Sequence, residues 1–166
     1  METKRYNFAE LAEFVSRAKI NQKTKEALVR WLVDLHSTGL FGEEEMIIVK
    51  RENEREEVYR LRQLLKPGKA VIVDLSGYID SRSRHIIALW MAKKIFNMRR
   101  MEEIPPVIIF LEEAHNFIPE GVAREHAPAK AIFETIAREG RKFKIGLTAI
   151  TQLPSIIPRQ ILANIN

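Results

Sequence analysis

The stretch VIIFLEEAHNFIP, residues 107–119, decides the fold class of this chain. Its first five residues are apolar without alternation, which is typical of a strand that is buried on both faces. Two carboxylates, Glu112 and Glu113, follow this strand directly. In an open α/β sheet, ligands bind beyond the carboxyl ends of the strands. The stretch therefore indicates a parallel sheet that delivers two acids to a polar cleft.

Two further runs are also rich in apolar residues and end in polar ones: AVIVDLSG at 70–77 and KIGLTAITQ at 144–152. Helical patterns lie between and after the three runs, at about 81–100, at about 128–139 and from Pro158 onward. Apolar strands separated by helices predict a parallel sheet with helices over both faces. The predicted fold class is α/β, with a mostly parallel sheet.

The N-terminal part has a different pattern. Apolar residues recur at helical spacing over 8–18 and 27–35, which predicts two amphipathic helices. Asn21 or Thr24 is expected to cap the second helix. A third helix is predicted within ENEREEVYRLRQLLKPGK, residues 52–69, before the proline and glycine that stop it.

Charge is unevenly distributed along the 166 residues. Residues 1–65 hold 12 Lys/Arg and 12 Asp/Glu, whereas residues 66–166 hold 15 and 10, so the second segment carries the whole net charge of +5. A basic surplus attracts phosphate-rich partners such as DNA or a nucleotide, but a solvated basic surface gives the same pattern.

The chain contains no cysteine, which excludes disulfides and thiolate metal sites. No run of about 18 apolar residues is present, and the N-terminus lacks the apolar core of a signal peptide. The expectation is a cytoplasmic protein without a membrane span.

Polar residues end each of the three predicted strands. Asp74 ends the first strand, Glu112 and Glu113 the second, and Thr151 and Gln152 the third. The carboxyl ends of parallel strands meet at one edge, so these residues are expected to lie side by side. Carboxylates near a phosphate can hold Mg²⁺ and orient an attacking water, which suggests a metal role for Glu112 and a water role for Glu113. The alternative for this pair is a solvated strand end.

Three blocks together resemble a known family. VIIFLEEAHNFIP, AIFETIAREGRKFKIGL and TAITQLPSIIPRQILANIN, in that order, are similar to consecutive blocks of the HerA/FtsK superfamily of hexameric ATPases, and within it to the HerA branch. The resemblance spans residues 70–166. It implies that residues 66–166 form the C-terminal part of a RecA-like motor core, from the Walker B strand onward. Residues 1–65 then correspond to a helical insertion subdomain.

The resemblance also implies roles for individual residues. Glu112 corresponds to the first Walker B acid, which holds Mg²⁺ through water, and Glu113 corresponds to the catalytic base. Arg138 and Arg141 are candidates for an arginine finger that reaches a neighbouring subunit's ATP, and Gln152 corresponds to the γ-phosphate sensor. Each has a structural alternative: a surface charge for Arg138, a DNA contact or helix cap for Arg141, and a backbone-bonded strand end for Gln152.

Two features depart from the family pattern. The first Walker B acid is commonly aspartate and is Glu112 here. More importantly, G-x-x-x-x-G-K-[ST] does not occur; its nearest approach has Gln63 in the first glycine position and Ala70 after Gly68 and Lys69. Without the loop that holds the β and γ phosphates, this chain alone is expected to be inactive and to belong to a longer protein.

The resemblance implies an ATP-driven translocase of double-stranded DNA that acts in end processing and repair, assembles as a hexameric ring and works with a NurA-type nuclease. One alternative is a Mg²⁺-dependent nuclease that uses Asp74, Glu112 and Glu113 as clustered acids. Another is a non-catalytic binding module that kept the ATPase fold. His115 stands three residues after Glu112, a metal-compatible spacing, but it is expected to be a helix-start or backbone-bonded histidine.

Overall fold

The computed structural model describes residues 8–37, 46–50, 56–78, 80–123 and 126–165. The chain divides into two compact units, Met1–Gln63 and Leu64–Asn166. Among the described residues, no helix combines the length and the apolar character that crossing a membrane requires.

The N-terminal unit begins with the two predicted helices. They are α1 (Phe8–Arg17) and α2 (Gln22–Ser37), which contact each other. The side-chain oxygen of Asn21 accepts a hydrogen bond of 2.8 Å from the backbone N–H of Thr24. Asn21 is thus the residue that caps α2, because it satisfies one of the N–H groups that the first helical turn leaves unpaired.

A β-hairpin follows where a third helix was predicted. Strand β1 (Met46–Lys50) pairs antiparallel with β2 (Glu56–Arg60), and only α3 (Leu61–Leu64) is helical. The prediction of a helix is therefore wrong over residues 56–60. In these residues the backbone hydrogen bonds are made to β1, so pairing between the two strands overrides the local helical pattern. The N-terminal unit is consequently not wholly helical.

The C-terminal unit contains the elements that carry the candidate site. In chain order these are α4 (Ser81–Arg100), β3 (Val107–Leu111), α5 (Ala114–Phe117), α6 (Lys130–Glu139), a 3₁₀ turn (Gly140–Phe143), β4 (Ile145–Ala149), a second 3₁₀ turn (Pro154–Ile156) and α7 (Arg159–Leu162). The helices predicted at 81–100, at 128–139 and after Pro158 are confirmed, as are the strands predicted in 107–119 and 144–152.

Strands β3 and β4 are parallel neighbours. Their register places Val107 opposite Ile145 and Leu111 opposite Ala149. One face of this sheet joins a buried apolar cluster with residues of α4, α6 and α7, including Phe96, Phe133, Ile136, Leu147 and Ile161. These helices fix the strands from one side and position their carboxyl ends.

The other face of the sheet is exposed in the described part of the chain. Ile108 and Phe110 are 61% and 66% exposed. The prediction that helices cover both faces is therefore wrong for the described residues, because the apolar cluster gathers α4 and α6 on the same side as Leu111 and Leu147. The prediction of an α/β arrangement with a parallel sheet is confirmed at the level of two strands.

The run AVIVDLSG does not form the first strand of this sheet. Residues 69–75 lack helix and strand structure, and Ile72 is 91% exposed. The apolar composition favoured a buried strand, but a strand also needs a partner for its backbone groups. Among the described residues β3 pairs with β4 alone, so this sheet has two strands and not the three that were predicted.

Candidate active site at the carboxyl ends of the parallel strands

Backbone hydrogen bonds join the chain segments that leave β3 and β4. The N–H of Ile150 donates to the carbonyl oxygen of Leu111 at 2.9 Å. The N–H of Ala114 then donates to the carbonyl oxygen of Ile150 at 3.0 Å. These two bonds bring residues 112–114 beside residues 150–152, at one edge of the sheet. Two of the three strand ends expected at this edge are therefore neighbours.

The two acids occupy the turn between β3 and α5. Glu112 is exposed, whereas Glu113 is half-buried. The backbone of Glu113 is left-handed, with φ 49° and ψ 45°, and its carbonyl accepts a 2.8 Å hydrogen bond from the N–H of Asn116. A residue with a Cβ adopts this conformation at a cost of about 1–2 kcal/mol. Strain of this kind clusters at functional sites, where the surrounding structure holds it.

His115 connects the acidic turn to the end of β4. Its Nδ1 lies 3.3 Å from Oε2 of Glu113 and 3.0 Å from Oγ1 of Thr151. Oγ1 of Thr151 also accepts a 3.0 Å hydrogen bond from the N–H of Leu153. The expected position of His115 at a helix start agrees with α5, but its ring nitrogen contacts two side chains rather than the backbone.

Sequence reasoning missed this connection although a signal was present. A histidine two residues after the second acid and a threonine at the end of the neighbouring strand have the donor and acceptor chemistry to meet across the edge. Spacing along one segment cannot reveal the pair, since His115 and Thr151 are 36 residues apart.

Gln152 lies in a bend directly after Thr151, and its side chain is exposed. This places it at the same edge as Glu113, one residue beyond the threonine that contacts His115. The amide group of Gln152 forms no hydrogen bond with another described residue. The amide is thus open to a ligand at this edge, and its sensor role stays a prediction.

The two candidate finger arginines form no hydrogen bond or ion pair with Glu113. Arg138 is exposed near the end of α6, where it lines a shallow depression with Glu134 and Gln160. Arg141 is exposed in the 3₁₀ turn that follows α6. Neither forms an ion pair with another residue in the described part of the chain. The structure thus does not bring them together with Glu113, and both remain candidates for action on a neighbouring subunit.

Asp74 does not belong to a strand of the parallel sheet. It is exposed in the irregular segment before α4, and its carboxylate accepts a 2.8 Å hydrogen bond from the N–H of Ser76, which lowers its pKa. Within the described ranges, no three His, Asp or Glu side chains are grouped so that they could hold a metal ion. The prediction that Asp74 joins Glu112 and Glu113 is therefore wrong, and the clustered acids that the nuclease alternative uses are not assembled.

Comparison with known proteins gives several relatives named as helicases. The chain is 30% identical over 133 residues to the DNA double-strand break repair helicase HerA of Pyrococcus furiosus, and the match covers 61% of this chain and 24% of that protein. It is 31% identical over 105 residues to the HerA helicase of Saccharolobus solfataricus, which covers 60% of this chain and 20% of that protein.

A probable HerA helicase of Methanocaldococcus jannaschii is 41% identical over 61 residues, which cover 37% of this chain and 12% of that protein. The chain thus spans at most about a quarter of the length of these three relatives. No family model matches the chain. The resemblance to HerA-like proteins that the three sequence blocks indicate is confirmed by these similarities.

Proposed function

We propose that this HerA-like chain supplies the hydrolytic part of an ATP-driven DNA translocase that acts in double-strand break repair. The observation that carries this proposal is the shared edge, where Glu113 approaches the end of β4 through His115 and Thr151. A carboxylate and a polar strand end at adjacent parallel strands are the arrangement that positions a water against a terminal phosphate. The similarity to proteins named as DNA double-strand break repair helicases supports DNA repair as the process.

In this proposal Glu113 is the general base. Its side chain is 44% exposed, so a water molecule can reach the carboxylate while the His115 ring contacts one of the two oxygens. The other oxygen is then available to accept a proton from the attacking water. Gln152, exposed one residue beyond Thr151, is the group that contacts the γ-phosphate.

Glu112 is the residue proposed to hold Mg²⁺, through water. A hard cation of this size binds one or two carboxylates together with waters and substrate phosphates, so a single exposed carboxylate beside Glu113 suits it. When bound, the ion neutralises charge on the phosphates. A phosphate loop from outside these 166 residues completes the ATP site, because the sequence contains no G-x-x-x-x-G-K-[ST].

The exposed arginines suggest how subunits cooperate. Arg138 or Arg141 acts as a finger toward the ATP of a neighbouring subunit in a hexameric ring, because guanidinium presents a fixed fork of donors to the transferring phosphoryl group. Double-stranded DNA passes through this ring, and a NurA-type nuclease is the partner that cuts it. The basic surplus of residues 66–166 supports contact with a polyanion.

The test is Glu113→Gln in the full-length protein that carries these residues together with a phosphate loop. ATP binding should be kept, because the amide has the size of the carboxylate, while hydrolysis should fall by about 100-fold or more because the base is lost. Glu103→Gln is the matched control: Glu103 is an exposed acid before β3, at the opposite end of the strand, and should keep wild-type turnover.

Two results would contradict the proposal. Wild-type turnover in the Glu113→Gln variant would exclude Glu113 as the base. A wild-type protein that binds ATP or DNA and never hydrolyses ATP would instead support a binding module that has kept the fold without the activity.

A further inference from the structure

We propose that His115 is a positioning residue for Glu113, and that it fixes the carboxylate to the end of β4 through Thr151. The inference rests on the proposed function, in which Glu113 is the base, and it adds a role for two residues to which the resemblance assigns none. It starts from one nitrogen, Nδ1 of His115, which lies within contact of both side-chain oxygens.

The chemistry of Nδ1 allows one arrangement with an ionised Glu113. If Nδ1 carried a lone pair, that lone pair would face Oε2 of Glu113 at 3.3 Å, and the two would repel each other. With a proton, Nδ1 donates toward both Oε2 and Oγ1 of Thr151, which lies at 3.0 Å. The tautomer of His115 is therefore set by the two oxygens that it contacts.

Thr151 in turn fixes the ring. Its Oγ1 accepts from the N–H of Leu153 at 3.0 Å, which holds the hydroxyl in the bend after β4. The His115 side chain is only 18% exposed, so the ring has little room to adopt another orientation. A half-buried imidazole between a strand end and a carboxylate limits the rotamers of Glu113, whose side chain would otherwise move freely in solvent.

The arrangement also links the base to the sensor. Gln152 lies between Thr151 and Leu153, the two residues that form the side chain to backbone hydrogen bond after β4. Gln152, Thr151, His115 and Glu113 are thus joined by one chain of covalent and side-chain contacts.

The test compares four variants of the full-length protein. His115→Phe keeps a ring of similar size and removes both nitrogens, whereas His115→Asn places an amide donor where Nδ1 stands. Thr151→Val removes the hydroxyl at equal size, and Thr151→Ser keeps it. Thermal unfolding of each variant establishes that it folds.

We expect His115→Phe to lower kcat for ATP hydrolysis by about 10- to 100-fold while KM changes by less than about twofold, because the base is present but misplaced. Thr151→Val should act in the same direction. His115→Asn and Thr151→Ser should restore most of the rate. In a Glu113→Gln background, His115→Phe should cause no further loss, since the two residues act as one unit.

The outcomes separate this inference from the proposed function. Loss of turnover in Glu113→Gln with wild-type kcat in His115→Phe would overturn the positioning role and leave the base assignment intact. A His115→Asn protein as slow as His115→Phe would also overturn it. Wild-type turnover in Glu113→Gln would remove the proposed function, and this inference would fail with it.

Discussion

Nε of Arg99 donates a 2.8 Å hydrogen bond to the backbone carbonyl oxygen of Phe143, although the two residues are 44 positions apart. Nη1 of the same guanidinium donates to the carbonyl oxygen of Ile104. Arg99 is 5% exposed, so it ties the last turn of α4 to the segment before β3 and to the 3₁₀ turn before β4. The buried side chain of Arg99 thus holds the two segments that lead into the amino-terminal ends of β3 and β4.

Replacing Arg99 should therefore destabilise the C-terminal unit. Arg99→Met leaves two carbonyl groups without their donor, and Arg99→Lys offers a single ammonium in place of a planar fork. Each variant should lose about 1–3 kcal/mol of unfolding free energy in urea titrations. Arg100 is exposed in the same helical turn, so Arg100→Met should change stability by less than about 0.5 kcal/mol. Equal effects at the two positions would contradict the anchoring role of Arg99.

Gly140 should be required for close packing between α6 and β4. Its φ of −55° is an ordinary helical value, but an added Cβ would lie 2.8 Å from the carbonyl oxygen of Ile145 and 3.3 Å from Cγ2 of Ile136. Gly140→Ala should therefore destabilise by about 1–3 kcal/mol through overpacking. At Gly77, an added Cβ meets no atom within 4 Å, so Gly77→Ala is the matched control. Thermal unfolding of both variants measures the difference.

The left-handed backbone conformation of Glu113 should lower the free energy of unfolding when the residue at this position carries a Cβ. Glu113→Gly and Glu113→Ala both remove the carboxylate, but only glycine adopts φ 49° without a Cβ clash. The free energy of unfolding should therefore be about 1 kcal/mol higher for the glycine variant than for the alanine variant. Lys144 has φ 57°, and its glycine and alanine variants should show the same order. An alanine variant at position 113 as stable as the glycine variant would show that the turn relaxes.

Stability should depend on the protonation of His85. The residue is 5% exposed, its ring packs edge-on against Phe117 at 5.3 Å, and its Nδ1 has no hydrogen-bond partner in the described part of the chain. Burial lowers the pKa of His85 below its usual 6.5, and the nearby charge of Arg84 adds to this, while a hydrogen bond with the backbone of Asn116 opposes it.

Because the pKa of His85 is lowered in the folded protein, the protein should lose stability as the pH falls. Between the lowered folded-state pKa and 6.5, the unfolded chain binds a proton that the folded chain does not. The contribution of His85 to stability is thus complete above about pH 6.5 and falls as the pH is lowered below it. Urea unfolding at a series of pH values should show a smaller loss for His85→Phe than for the wild type. If the free energies of unfolding of the two proteins fell equally with pH, the prediction would be contradicted.

The arginine fingers can be tested by mixing subunits of the full-length protein. Rings of Arg138→Ala or Arg141→Ala subunits alone should lose ATP hydrolysis if that residue acts in trans. Mixing the defective arginine variant with Glu113→Gln subunits should restore activity, because some interfaces then combine an intact base with an intact finger. Lys142→Ala, at an exposed neighbour of Arg141, should stay active by itself. Absence of recovery for both arginines would contradict action across an interface.

Local patterns were sufficient for most elements of the C-terminal unit. The helical pattern from Ser81 to Arg100 and the apolar run from Val107 to Leu111 appear as α4 and β3, although only one face of β3 is buried in the described part of the chain. The same reasoning failed at residues 56–60 and 70–77. In the first, pairing with β1 outweighs a helical pattern, and in the second, an apolar run has no strand partner among the described residues.

By itself, the sequence determined that two acids follow a parallel strand and that a polar pair follows its neighbour, because residue order fixes what stands at each strand end. It also carried the resemblance to HerA-like proteins. Only the tertiary structure decided that the segment of Asp74 does not pair with β3, that Glu113 takes a left-handed backbone, and that His115 contacts Thr151. Those outcomes depend on hydrogen bonds between segments distant along the chain, whose geometry exists only once the strands are paired.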